Sequence, residues 1–141
     1  MNEKAVWKKL KDLMGAHWHA TRHEDIACQG VPDVSYGLCG VQGWIELKYL
    51  PSWPKSPRTP VRIPHFTKEQ RLWTQLRHVM GCRVWLLLVV GHHPHEEWLL
   101  FDAITAARIG TMTRAQMYVE QSRGEVGRPE AEEMVEILKG K

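Results

Sequence analysis

Three residues early in the chain are of types that do chemistry together. Asp33 stands in Gly30-Val31-Pro32-Asp33-Val34, and Glu46 and Lys48 stand in Trp44-Ile45-Glu46-Leu47-Lys48. If these segments form a hairpin turning at Cys39-Gly40, Leu38 faces Val41 and opposed residue numbers sum to 79. That register sets Val34 opposite Ile45 and Pro32 opposite Leu47 on an apolar face. Asp33 then lies opposite Glu46 on the other face, and Lys48, two residues along, shares it. Directly opposed carboxylates sit with Cβ atoms about 4.5–5.5 Å apart, and like charges there are destabilising. Protonating one acid relieves the repulsion, and so does a divalent cation between the two. Hard oxygen donors that leave room for water suit Mg²⁺ or Mn²⁺ better than zinc. Lys48 would neutralise the pair, or hold and deprotonate a water beside the cation. Cation, water and lysine on one exposed edge make a hydrolytic site for a phosphodiester. A solvated polar face with a cross-strand ion pair uses the same residue types, so the pattern by itself leaves both readings open.

The elements that must position these residues follow from periodicity and punctuation. Residues 3–14 read as a helix, with Val6, Leu10, Leu13 and Met14 on one face, lysines opposite and Gly15 as its stop. Residues 17–29 are polar and read as partly helical. Gly30 introduces an extended segment, 31–38, and a second follows at 44–50. Five of the eight prolines then fall within 51–64, a loop that is neither regular helix nor central strand. Thr67 is a good N-cap with Gln70 completing a capping box, and Gly81 closes the helix. Leu72, Trp73, Leu76, Val79 and Met80 form its apolar stripe, which is expected to face the core. Residues 83–90 are a buried strand, a polar turn at 92–96 leads to a partner strand at 97–101, and Asp102 caps a helix to Arg108. Residues 113–121 and 130–139 read as two more short helices.

Length and composition bound the class. The 141 residues, 43% apolar and 25% charged, suit one globular domain, with a core over about 20–101 and a helical extension over 102–141. No apolar run reaches the roughly 18 residues of a membrane span, and the basic, amphipathic start does not resemble a signal peptide. Three irregularly spaced cysteines suggest no disulfide framework, so a reducing cytoplasm is expected. Net charge is only +3, but residues 48–83 carry eight Lys or Arg against one acid, Glu69. That stretch is a candidate anion-binding region, with a polyphosphate as the obvious anion, unless it is merely a basic solvated face.

Gly-Val-Pro-Asp followed by an apolar-flanked Glu-Leu-Lys resembles the PD-(D/E)XK nuclease superfamily, with Pro32-Asp33 and Glu46-Leu47-Lys48 in the motif positions. In style it is most like the small stand-alone VRR-NUC branch and phage Holliday-junction resolvases, although the tripeptide naming that branch is absent. The branch carries an acid on a helix before the Pro-Asp, where Glu24 fits, and a helix glutamine after the Glu-x-Lys strand, where Gln70 fits. The resemblance implies that Asp33 and Glu46 bind the metal, with the Leu47 carbonyl a further ligand. It implies that Glu24 holds a second metal or a water on it, and that Lys48 orients the attacking water and stabilises charge on the phosphate. Gln70 is then either catalytic or simply the capping residue.

On this reading the fold is α/β, a restriction-endonuclease-like core with a mixed sheet of about four strands flanked by helices. The expected activity is Mg²⁺-dependent cleavage of DNA, preferably branched or junction DNA, with Mn²⁺ as a substitute metal. Lys55, Arg58, Arg62, Lys68 and Arg71 are placed to grip phosphates. Trp53 either stacks on a base or packs its loop down. The alternatives are a duplex-nicking or restriction-type enzyme, and a nucleic-acid binder that keeps the fold without catalysis. A zinc site drawn from His17, His19, His23, Cys28 and Cys39 lacks structural-zinc spacing. The resemblance also implies a homodimer, for which residues 102–141 are a candidate arm unless they simply cover the last strands. Small size, a single domain and missing targeting signals fit a phage or prophage enzyme.

Overall fold

The computed structural model describes residues 1–24 and 30–140. Among the described residues, five strands form one mixed sheet in the order β1-β2-β3-β4-β5: His19–Arg22, Val34–Leu38, Val41–Leu50, Arg83–Val90 and Glu97–Asp102. The β3–β4 pair is parallel and the other three are antiparallel. It is flanked by helices α1 (Glu3–Met14), α2 (Lys68–Val79), α3 (Ala103–Ala106), α4 (Arg114–Glu120) and α5 (Ala131–Leu138). The α/β architecture is the expected one, with five strands where about four were expected.

The extra strand is β1. Residues 17–29 were expected to be partly helical, but helical geometry there ends with a single 3-10 turn, Gly15–His17, and β1 pairs along β2. Its short polar run His-Ala-Thr-Arg carries no apolar alternation because an edge strand needs little apolar cover. Residues 25–29 of that stretch lie outside the described residues.

Between β2 and β3 the hairpin has the register read from the sequence, Val34 on Ile45 through Leu38 on Val41. Cys39 and Gly40 make the turn, with φ of 49° and 78°. Positive φ at both central residues matches strand twist, which is why glycine suits the second position.

Each face of the sheet carries its own core. Val6, Leu10 and Met14 of α1 and Met134 and Leu138 of α5 pack on Val34, Ile45, Leu47, Leu87 and Leu100. Val61, Ile63 and Phe66 of the proline-rich loop, Ala106 of α3 and Met117 of α4 cover Leu50, Leu86, Leu88, Leu99 and Phe101 on the other. Residues 102–140 thus form part of both cores.

Helix α2 departs from expectation. Its capping box is present, Thr67 accepting from the Gln70 amide (3.1 Å) and Gln70 accepting from the Thr67 amide (3.0 Å). Its apolar stripe, however, faces solvent: Leu72 is 53% exposed, Leu76 57%, Val79 74% and Met80 78%. Thr74 is the buried residue of this helix, and half-buried Arg71 and Arg77 lie on the aromatic rings of Phe66 and Trp73. Periodicity located the stripe but could not say which side the sheet would take.

Candidate active site

The hairpin brings Asp33, Glu46 and Lys48 together. Ladder pairing of β2 with β3 begins at Val34. Just before it, the Asp33 carboxylate accepts from the Leu47 amide at 2.8 Å, so a side chain satisfies the main-chain donor. On the other side the Asp33 carbonyl accepts from the His23 amide at 2.7 Å, which fixes the residue between β1 and β3.

Glu46 and Lys48 are buried, 2% and 1% exposed, on the face of Leu86 and Leu88. Lys48 Nζ lies 3.4 Å from Glu46 Oε1 and 3.6 Å from Glu3 Oε1, and donates to the His65 carbonyl at 2.9 Å. His65 presents that carbonyl from φ of 68°, a left-handed conformation that non-glycine residues seldom adopt. The proline-rich loop thereby ends on the lysine.

Burial pushes the Glu46 carboxyl up to about 9, and the neighbouring charge of Asp33 adds to the rise, against the opposing pull of Lys48. The metal-free site therefore holds a proton at neutral pH. The sign for stability follows. The folded value, about 9, lies above the ordinary 4.5, so stability from this group is complete below 4.5 and is lost as pH rises toward 9. Urea denaturation of the metal-free chain should show a decline of up to about 1.4 kcal/mol per pH unit in that window. Glu46→Gln should flatten it, and an unchanged slope in that variant would contradict the assignment.

The donor set fits a hard divalent cation. Asp33 and Glu46 supply carboxylate oxygens, and burial of Glu46, with repulsion from Asp33 adding to it, disfavours its bare anion. Among the described residues no three His, Cys, Asp or Glu side chains form a ready ligand cluster, which leaves the other positions to main-chain oxygen and water. Magnesium commonly binds in this way.

Glu3 is the site residue that sequence reasoning missed. An acid in the first turn of a helix is ordinary, and nothing local reveals that α1 reaches Lys48. Glu24, assigned a metal role, is exposed after β1 and pairs with Arg22 at 3.6 Å; no helix carries it among the described residues. Gln70 has its side-chain oxygen committed to the capping box. Lys55, Arg58, Arg62 and Lys68 are exposed, as phosphate contacts must be. Arg71 is half-buried, lies 4.2 Å over the Phe66 ring and donates to the Ala107 carbonyl at 3.4 Å, so its role is in packing. Trp53 packs its loop down, donating to Glu97 with its ring 5.5 Å from Tyr118. Of the zinc candidates, His23 hydrogen-bonds Ser35 at 2.7 Å, Cys39 is exposed in the turn, and Cys28 lies outside the described residues. Cys82 is half-buried.

Gly30 explains how the Asp33 segment is held against α2. Its φ is +87°, and an added Cβ would fall 2.5 Å from the Glu69 carbonyl oxygen. Gly30→Ala should therefore cost at least about 2 kcal/mol, from left-handed strain plus collision. It should also weaken any chemistry at Asp33 by displacing the loop. Denaturation reads the first effect, and a change under about 0.5 kcal/mol would show that the loop is not held there.

No protein-family model matches the chain, and no curated protein matches it. Among solved structures, it is similar to the 1.6 Å structure of Hjc, a Holliday junction resolvase from the archaeal hyperthermophile Archaeoglobus fulgidus. Identity is 16%, coverage is 72% of this chain and 73% of that one, and the TM-score is 0.49.

Proposed function

We propose that the chain is a Mg²⁺-dependent endonuclease of PD-(D/E)XK type that hydrolyses DNA phosphodiester bonds, with branched or junction DNA as its preferred substrate. The observation that carries this reading is the group of half-buried Asp33 with buried Glu46 and Lys48, two crowded carboxylates with a lysine at hydrogen-bonding range of one of them. A domain of this size gains no stability from opposed carboxylates, and a pure nucleic-acid binder has no use for them beneath bound phosphates.

Asp33 and Glu46 would hold the cation, with the Leu47 carbonyl as a further ligand. When bound, it supplies Lewis-acid polarisation of the phosphate and neutralises the carboxylates. The chain's own groups do the rest. Lys48, fixed by the His65 carbonyl and by Glu3, keeps its ammonium aimed at the Glu46 carboxylate, where it orients a water and offsets charge building on the phosphate.

DNA would lie across exposed Lys55, Arg58, Arg62 and Lys68. A second basic surface begins one residue from Glu3. Lys4, Lys8, Lys11 and Arg22 line a groove of about 570 Å³ with Trp7, Asp12 and Glu24. The Arg22 Nε in its wall is buried without a hydrogen-bond partner among the described residues. Charge reversal at Lys8 and Lys11 should weaken binding evenly across sequences and lower the salt slope by about 1 per lost phosphate contact. Salt-independent binding would exclude both surfaces.

The test is cleavage in Mg²⁺ of matched four-way junction, duplex and single-stranded DNA. Paired cuts in the junction alone support a resolving enzyme. Cleavage of all three keeps the site and removes the junction preference. Salt-sensitive binding with no cleavage in Mg²⁺ or Mn²⁺ would favour a binder that retains the fold.

A further inference from the structure

We infer that the open sheet face beside the catalytic group is a nucleobase site, which takes one unstacked base of the DNA strand being cut. Residues of β2 alternate between the two faces. Val34, Tyr36 and Leu38 are buried in the core with α1 and α5, so Ser35 and Gly37 point the other way. On that other side the buried core draws on β3, β4 and β5 and reaches neither β1 nor β2. Two rows of cross-strand partners form the floor left open, Thr21–Ser35–Trp44 and His19–Gly37–Gln42. They line a hollow of about 330 Å³, a volume that suits a small ligand.

The chemistry of the floor suits a base better than a phosphate. None of its residues is Asp, Glu, Lys or Arg, the charged types that sheet edges commonly carry. His19, Thr21 and Gln42 are exposed, and their side chains hydrogen-bond no other described residue. Such groups can read the edge of an unstacked base. Trp44 supplies an aromatic ring, and it is held in place. The His23 ring lies 5.3 Å from it, the Trp73 ring of α2 5.1 Å, and the Arg77 guanidinium 5.7 Å over it. A ring already fixed loses little freedom when a base stacks on it.

Gly37 is the independent sign of a ligand. Its φ is not left-handed, and an added Cβ would meet nothing closer than 3.9 Å. Neither backbone nor packing therefore asks for glycine at this position. Glycine inside a strand weakens it and often marks the close approach of a ligand. Here the missing side chain leaves the hollow between His19 and Gln42.

The hollow adjoins the chemistry. Ser35 and Trp44 stand one strand repeat, about 7 Å, from Asp33 and Glu46 on the same face. His23 joins the two, with its amide on the Asp33 carbonyl and its ring nitrogen 2.7 Å from the Ser35 hydroxyl. A base reaches this floor only by leaving its stack, which costs least at an unpaired nucleotide, as beside a branch point. The DNA strand as ligand rests on the proposed function, whereas the hollow rests on Gly37 and its neighbours.

The test is binding, in EDTA, of a short single strand of DNA and of a matched abasic strand with the same phosphates. Because no cleavage is read, failure here is distinguishable from failure of the nuclease assignment. The wild type should prefer the base-bearing strand by at least about 5-fold, the low end for one stacked base. Added salt should weaken both strands and leave their ratio unchanged. Gly37→Val fills the hollow with a strong strand former, so the ratio should fall within about 2-fold with an undiminished urea midpoint. Thr21→Val and Gln42→Ala, made together at exposed positions, should lower the ratio with an unchanged circular dichroism spectrum. A wild type that binds the two strands equally, or binds neither, overturns the inference. So does a preference that survives in either variant.

Discussion

Lys48→Met is expected to lower cleavage by at least about 10³-fold while leaving the fold within about 1.5 kcal/mol of the wild type. The side chain is 1% exposed, and its stem runs beside Phe66, whose ring lies 5.9 Å from the ammonium. Methionine fills that stem volume and lacks the charge. The loss of the ammonium leaves no bare buried anion, because burial already keeps Glu46 protonated at neutral pH and the Glu3 side chain is 37% exposed. Lys48→Ala should lose activity to the same degree and also about 2–4 kcal/mol of stability, through the cavity. Cleavage rates and urea midpoints measured on the same preparations separate the two effects. A Lys48→Met enzyme that cuts at near wild-type rate would show that the lysine merely neutralises its neighbours.

The second large effect is expected far from the site. Arg123 has a side chain only 2% exposed, donates to the Trp98 carbonyl at 2.6 Å, and grips Glu133 at 2.8 and 3.1 Å. It ties the segment before α5 to β5, while α5 places Met134 and Leu138 in the core shared with α1. Arg123→Ala removes the forked contact, orphans the Trp98 carbonyl and opens a void, so a loss of about 3–4 kcal/mol is expected. Arg123→Lys should recover less than half of it, since an ammonium cannot reproduce the fork. Urea denaturation reads both, and a loss under about 1 kcal/mol would show that the C-terminal helices are not fastened through this residue. The molecules that remain folded should keep whatever cleavage activity the wild type has.

The hairpin was the most legible part of the sequence. Strand side chains alternate with a period of two, so a turn at Cys39-Gly40 leaves one register that keeps Val34 and Ile45 on the buried face. The crowding of Asp33 on Glu46 followed from that register alone. The caps of α2 and α3 were legible for a similar reason, since Thr67 and Asp102 act within three residues of themselves. What escaped was long-range or one-sided. Glu3 meets Lys48 across the fold, and its neighbours in sequence record nothing of it. The α2 stripe was found, but a pattern of one chain assumes that the apolar face covers its own core, and here it does not. Strand β1 was missed because four polar or small residues at a sheet edge carry no hydrophobic signal.

The most direct test of the metal-nuclease assignment is four-way junction cleavage by the wild type and by Asp33→Asn, each in Mg²⁺ and in EDTA. Asparagine keeps an oxygen for the Leu47 amide and removes the charge beside Glu46, so the variant should fold with undiminished stability. Cleavage by the wild type in Mg²⁺ alone, reduced at least about 10³-fold in the variant, is the predicted result. Cleavage that survives in Asp33→Asn or in EDTA would contradict it, as would a wild type that binds the junction and never cuts it.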